Sequence, residues 1–275
     1  MSSEGALAKL VDGILAERGL DSLEERQGFG GFLETGIDNL DDAVGGYPKE
    51  TITEIYSRPG CGKTSMLMWT AINMGYRTLY IDTENRVRMK LPENIVLVSE
   101  NVVENVEGTV NDALDLRDSD GKPVFDLIVV DSVASMIPGK MLADEYAADM
   151  GLKARAMAKW MQRLPAHLRG SNCALVFTNQ IRDTMNAFGV KTFTPGGHAL
   201  TYACSLRLAM YSNSGDERKA DGKKVGHDVR AVIEKNTTGP DKGEFKFRLM
   251  FTENGVEVDN SYKPKKVERG KKTAN

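Results

Sequence analysis

The segment 57-SRPGCGKT constrains the fold of this chain more than any other, because it stands between an apolar strand, 51-TITEIY, and a helix expected near residues 64 to 74. A strand, a glycine-rich turn and a helix in that order bring backbone amides and the positive end of a helix dipole to one point, where phosphate binds. Lys63 is suited to reach β and γ phosphates, and the Thr64 hydroxyl to hold a magnesium ion. Ser57, Arg58, Pro59, Gly60, Cys61, Gly62 and Ser65 complete the candidate cradle. Ser57 stands where such loops begin with glycine, so strain is expected at the entry, with Gly60 placed to relieve it. An ordinary glycine turn is the plain alternative. The Lys-Thr pair at the right spacing weighs against it.

Two further strands run out into carboxylates. In 127-LIVVDS, Asp131 follows four apolar residues and should reach the carboxyl edge of the sheet, where it would order Mg²⁺ through water. A helix-capping aspartate is the alternative taken alone, and the pairing with Lys63 decides against it. In 79-LYIDTE, Glu84 lies just past a strand that should neighbour the loop, where a hydrolytic site needs a group to position water. A surface glutamate would read the same way in isolation.

Around these motifs, short β-branched runs (77-RTLYID, 95-IVLV, 126-DLIVVD, 174-ALVFT) alternate with helices near 64 to 74, 108 to 117 and 145 to 169. This pattern predicts an α/β fold with a mostly parallel sheet covered on both faces. After Leu200 the strands 204-CSLRLAMY, 229-VRAVIE and 244-EFKFRLMF follow one another through turns, predicting an antiparallel extension. Residues 35–260 read as this core, which an apolar content of 41% over 275 residues can fill. Residues 1–34 read as a subunit-contact segment: an amphipathic helix over Gly5 to Arg18, then a glycine-rich linker with Phe29 and Phe32 as exposed anchors. Packing of that helix against its own core is the alternative. Residues 261–275 read as a basic disordered tail.

Composition excludes several classes. Cys61, Cys173 and Cys204 are scattered singly, against a disulfide framework or a zinc site. No signal-like leader and no apolar run of about 20 residues is read, so a soluble protein of a reducing cytoplasm, without membrane contact, is expected. The formal net charge of -3 gives no global attraction to nucleic acid, so any DNA surface must be a local patch.

In order along the chain, 54-EIY, 80-YIDTE, 129-VVDSVASM, 150-MGLKARAM, 176-VFTNQIR and 195-PGGHAL resemble the RecA and RadA recombinases, over about Thr35 to Leu249. The resemblance implies a RecA-like ATPase core that uses ATP and Mg²⁺, forms helical filaments on single-stranded DNA and exchanges it into homologous duplex. It makes Glu84 the catalytic glutamate acting with Lys63, Gln180 the sensor of the γ phosphate, and Lys235 a contact to a neighbouring subunit's nucleotide. It implies DNA loops at 138–150 and 181–195. Arg155, Arg182 and Lys191 would meet phosphates, Met141, Phe188 and Phe193 would meet bases, and Gly196 and Gly197 would lie with them.

The chain departs from the pattern in places. Thr237 stands where a second interface lysine is expected, and 84-ENRVRMKLP offers no aromatic to stack on adenine, leaving Arg88 as the candidate cover. The layout resembles a minimal, phage-type member, at work in a bacterial cytoplasm or in that of a phage host. A ring-forming motor such as a hexameric helicase, and an accessory paralogue that only assists another recombinase, stay open as alternatives.

Overall fold

The computed structural model describes residues 30–143, 151–186, 189–253 and 255–263. The expected N-terminal helix, Phe29, Phe188 and the tail beyond Lys263 lie outside these residues. The chain divides into residues 1–31 and 32–275, so the core begins three residues before the expected boundary. The reason is β1 (Phe32–Leu33), which pairs antiparallel with β2 (Tyr47–Pro48) around α1 (Asp38–Val44). The Asp41 carboxylate ties the entry to α1 by accepting from the Thr35 amide at 2.9 Å and its hydroxyl at 2.8 Å. Phe32 is half-buried and lies over Gly45, whose missing side chain makes room for the ring. Its ring packs within its own unit.

The core continues with β3 (Ile52–Ser57), α2 (Lys63–Asn73), β4 (Thr78–Asp82), β5 (Ile95–Val98), α3 (Val103–Asp115) and β6 (Leu127–Asp131). Then come α4 (Gly139–Ala143), α5 (Leu152–Leu168), β7 (Ala174–Gln180), β8 (Arg182–Asn186) and β9 (Gly189–Phe193). The last elements are α6 (His198–Ala203), β10 (Leu206–Tyr211), β11 (Glu217–Ala220), β12 (Lys223–Asn236), β13 (Gly243–Thr252) and β14 (Gly255–Val258). The main sheet runs β14-β13-β12-β10-β3-β7-β6-β4-β5, with β11 beside β12. From β10 to β5 every pair is parallel, and from β10 to β14 every pair is antiparallel. The mixed α/β sheet with an antiparallel extension is as expected.

Helices cover both faces. On one, α2 buries Met66, Leu67, Met68 and Ala71 against Ile55, Tyr80, Val129 and Val176. On the other, α3 and α5 bury Val106, Val110, Trp160 and Leu164 against Ile81, Ile128 and Phe177. The Trp160 ring meets Phe177 edge-on at 5.3 Å, and its indole N–H donates to Asn111, so the polar tip of a fully buried side chain is satisfied. Strands buried on both faces must be apolar along their whole length, which is why β6 and β7 read as continuous runs.

The two expected DNA loops are partly regular. β8 and β9 pair antiparallel as the two arms of a hairpin, with Arg182 opposite Phe193 and Thr184 opposite Lys191. The other segment opens with the short helix α4.

Candidate active site

β3, β7, β6 and β4 are neighbours, so the residues that follow them meet at one edge of the sheet. β3 delivers Ser57 and the phosphate-binding turn. Ser57 is the last strand residue, extended and fully buried, and pairs with Gln180 on one side and Met210 on the other. Its backbone needs no glycine, so the expected strain at the entry is absent; the left-handed conformations fall on Gly60 and Gly62. The Ser57 hydroxyl instead accepts a hydrogen bond from Lys63 Nζ at 2.7 Å. Burial pushes the Lys63 pKa down, and the nearby Asp131 carboxylate pulls it back up. Arg58 leaves the loop and makes a two-pronged pair with Asp183 of the hairpin, at 2.9 and 3.1 Å.

β6 delivers Asp131. Its buried carboxylate accepts from three hydroxyls: Thr64 at 2.5 Å, Thr178 at 2.5 Å and Tyr80 at 2.7 Å. Burial and the adjacent Asp131 charge drive the Tyr80 pKa far up, so its O–H stays a donor. β4 delivers Glu84 through a turn that Asp82 holds, accepting from the amides of Glu84 (3.1 Å), Arg86 (2.7 Å) and Val87 (2.7 Å). Glu84 Oε1 accepts from Gln180 Nε2 at 2.7 Å and Ser132 Oγ at 2.9 Å, while Oε2 pairs with Arg86 at 2.8 Å.

A cavity of about 300 Å³ joins Gly60, Lys63, Thr64, Glu84, Asp131 and Gln180. The residues suit a nucleotide's phosphates and Mg²⁺: a glycine turn at a helix start, one buried lysine, and a threonine hydroxyl on a carboxylate. Mg²⁺ is commonly held by one or two carboxylates together with phosphates, and among the described residues no cluster of three His, Cys, Asp or Glu side chains forms a cage of its own. Next to this cavity is a more apolar one of about 520 Å³, sharing Thr64, Ser65 and Arg86 and lined by Trp69, Val87, Arg88, Met89 and Gly255. Its lining includes the Trp69 ring, and Arg88 stands on its wall.

The residues expected at DNA divide. Met141, Phe193, Gly196 and Gly197 share a cavity of about 680 Å³ with Lys153 and Arg207. Arg182 is exposed on β8. Arg155 is exposed too, but lines a different cavity with Lys159, Arg163 and Glu107. For Lys191 only the backbone position on β9 is described. Gly197 has a direct structural cause: its φ of 76° is left-handed, and a Cβ there would stand 2.9 Å from that of Ala154 on α5. Lys235 lies away from its own phosphate loop, opposite Arg207 of β10, with Nζ on the Tyr202 carbonyl at 2.8 Å.

Sequence reasoning missed several participants. Asp82, Thr178, Tyr80 and Ser132 act through hydroxyls or turn geometry that no motif spacing encodes. Buried Glu54 accepts from Asn179 at 2.9 Å and Arg207 at 2.6 Å, and Asn179 also donates to the Pro195 carbonyl. That network joins the strand before the phosphate loop to the far end of the hairpin.

Residues 29–257 match the family model of the RecA N-terminal domain. Protein RecA of Aquifex aeolicus is 33% identical over 229 residues, covering 80% of this chain and 66% of that protein. Protein RecA of Aquifex pyrophilus is 32% identical over 258 residues (86% and 74%), and that of Francisella philomiragia 31% over 270 residues (87% and 73%). This chain thus spans about two thirds to three quarters of the length of these relatives. With the phosphate loop, the carboxylates and the glutamine gathered at one sheet edge, these matches establish that the chain belongs to the RecA family.

Proposed function

We propose that the protein is an ATP-dependent DNA recombinase that assembles on single-stranded DNA and exchanges it into homologous duplex. The observation that carries this reading is the 2.7 Å hydrogen bond from Gln180 to Glu84, because Gln180 ends β7 immediately before the hairpin. Lys63 and the loop amides would hold the phosphates, and Thr64 with Asp131 would hold Mg²⁺. The metal supplies charge stabilisation of phosphate oxygens during hydrolysis. Glu84 orients the attacking water and accepts its proton. Gln180, a neutral amide, donates a hydrogen bond without taking that proton. Its position transmits a change at Glu84 to the hairpin, as does the Arg58–Asp183 pair.

On this reading the DNA face combines Arg182, Lys153 and Lys191 with the exposed Met141 and Phe193, a mixture suited to sequence-tolerant binding. Arg155 would extend it along α5. Lys235 would meet a neighbouring subunit's nucleotide in a head-to-tail assembly. No helix among the described residues is long and apolar enough to cross a membrane; a bacterial or phage-host cytoplasm is the compartment this function needs. The test is strand exchange with this protein alone, beside electron microscopy with single-stranded DNA and ATP. Long helical filaments and exchanged strands are expected; closed rings without exchange would favour a motor, and filaments without exchange an accessory role.

A further inference from the structure

The geometry points to His227 as a further nucleotide-binding residue, donating a ring N–H to a phosphate oxygen of a nucleoside di- or triphosphate seated over Lys63. The inference rests on the nucleotide reading of that cavity and adds a ligand from its opposite flank. Glu84, Asp131 and Gln180 reach the phosphate loop from the β7, β6 and β4 side of β3, whereas His227 comes from β12, two strands away on the other side. It lines the same cavity as Lys63, Thr64 and Gly60.

His227 is only 2% exposed, and neither ring nitrogen makes a well-aligned hydrogen bond within the protein, although the Cys61 backbone lies close enough to act on the ring. A buried polar ring left unpaired costs free energy, so such a group points to a partner from outside the chain. The neighbouring carboxylate cannot serve. Asp228 faces the other side of the strand, held by Arg218 and Arg248. The ring lies against the phosphate loop, 3.2 Å from where a Cβ on Gly62 would stand, and Phe251 packs on it at 5.6 Å between centroids. Glycine at this position is required first by its left-handed φ of 89° and by Leu249 Cδ1, 2.3 Å from where a Cβ would stand, and its bareness also lets the His227 ring approach the loop. Burial holds the His227 pKa below the ordinary value, so the ring meets the site neutral, with one nitrogen a donor.

Calorimetric titration of the full chain with Mg-ATP and Mg-ADP tests this on His227→Phe, which fills the space without a donor, and His227→Gln, which restores one. Affinity for both nucleotides should fall about 10- to 100-fold in His227→Phe, the scale of one hydrogen bond to a charged group, and recover in large part in His227→Gln. The nucleotide-free melting temperature should not fall in His227→Phe, since an unpaired polar group has been removed. Unchanged affinity in His227→Phe overturns the inference. So does equal loss in both variants with a lowered melting temperature, which would make the ring structural. Lys63→Ala separates the two readings: if it too binds ATP normally, the cavity is not the nucleotide site; if it alone loses binding, only the role of His227 falls.

Discussion

Gln180 Nε2 lies 2.7 Å from Glu84 Oε1, joining the end of β7 to the turn after β4 across the mouth of the phosphate cavity. The same carboxylate is held by Ser132 and Arg86, so Glu84 is aimed before any ligand arrives. Gln180→Ala should leave ATP affinity intact while lowering DNA-stimulated turnover by about two orders of magnitude, the scale of removing one positioned donor. Turnover measured with and without single-stranded DNA checks it; equal loss in both conditions would confine Gln180 to the chemistry.

Ser57 tests how the loop is built. Because its backbone is extended, Ser57→Gly should bind nucleotide as before, and should cost about 0.5–1 kcal/mol of stability in strand entropy together with about 1.5–3 kcal/mol for the lost hydrogen bond from Lys63. Thermal unfolding and nucleotide titration on the same variant check both halves.

The buried Glu54–Arg207 pair, with Arg207 also stacked over Tyr56 at 4.1 Å, connects β3 to β10 and through Asn179 to Pro195. Removing one partner strands a buried charge. Arg207→Met should destabilise by roughly 3–5 kcal/mol, while Glu54→Gln with Arg207→Met should recover much of that. Denaturant titrations of the single and double variants measure it.

Burial would raise the Asp228 pKa, but hydrogen bonds and charge from Arg218 and Arg248 outweigh it and hold the group down at about 2. With an unfolded value near 3.9, the group contributes about 2–3 kcal/mol at neutral pH, lost as pH falls from about 4 through 2. Asp228→Asn should therefore destabilise at pH 7 and make little difference near pH 2. Equal effects at both pH values would contradict the assignment.

The parts legible in the sequence are those written in local pattern. Continuous apolar runs marked β3, β4, β6 and β7, and residues at or soon after their ends (Lys63, Thr64, Glu84, Asp131, Gln180) converge because parallel strands share one carboxyl edge. What pattern does not carry is pairing across the chain. The β8–β9 hairpin has too mixed a composition to show its alternation, and α3 begins at Val103 because Val103, Val106 and Val110 form its buried stripe, although β-branched residues suggest otherwise. The loop at Ser57 needed its φ to be read, and His227 needed the sheet order that brings β12 to Gly62.

On the proposed function, gripping DNA and releasing it would be separate, with Glu84 needed only for release. Glu84→Gln keeps the shape and the contact to Gln180 but removes the base, so ATP hydrolysis should fall by roughly two to four orders of magnitude. ATP turnover, single-strand affinity and strand exchange, measured side by side on this one variant, test it most directly. The account predicts lost hydrolysis, retained filament assembly and pairing, and slow dissociation from DNA. Intact hydrolysis, or loss of DNA binding together with hydrolysis, would contradict it.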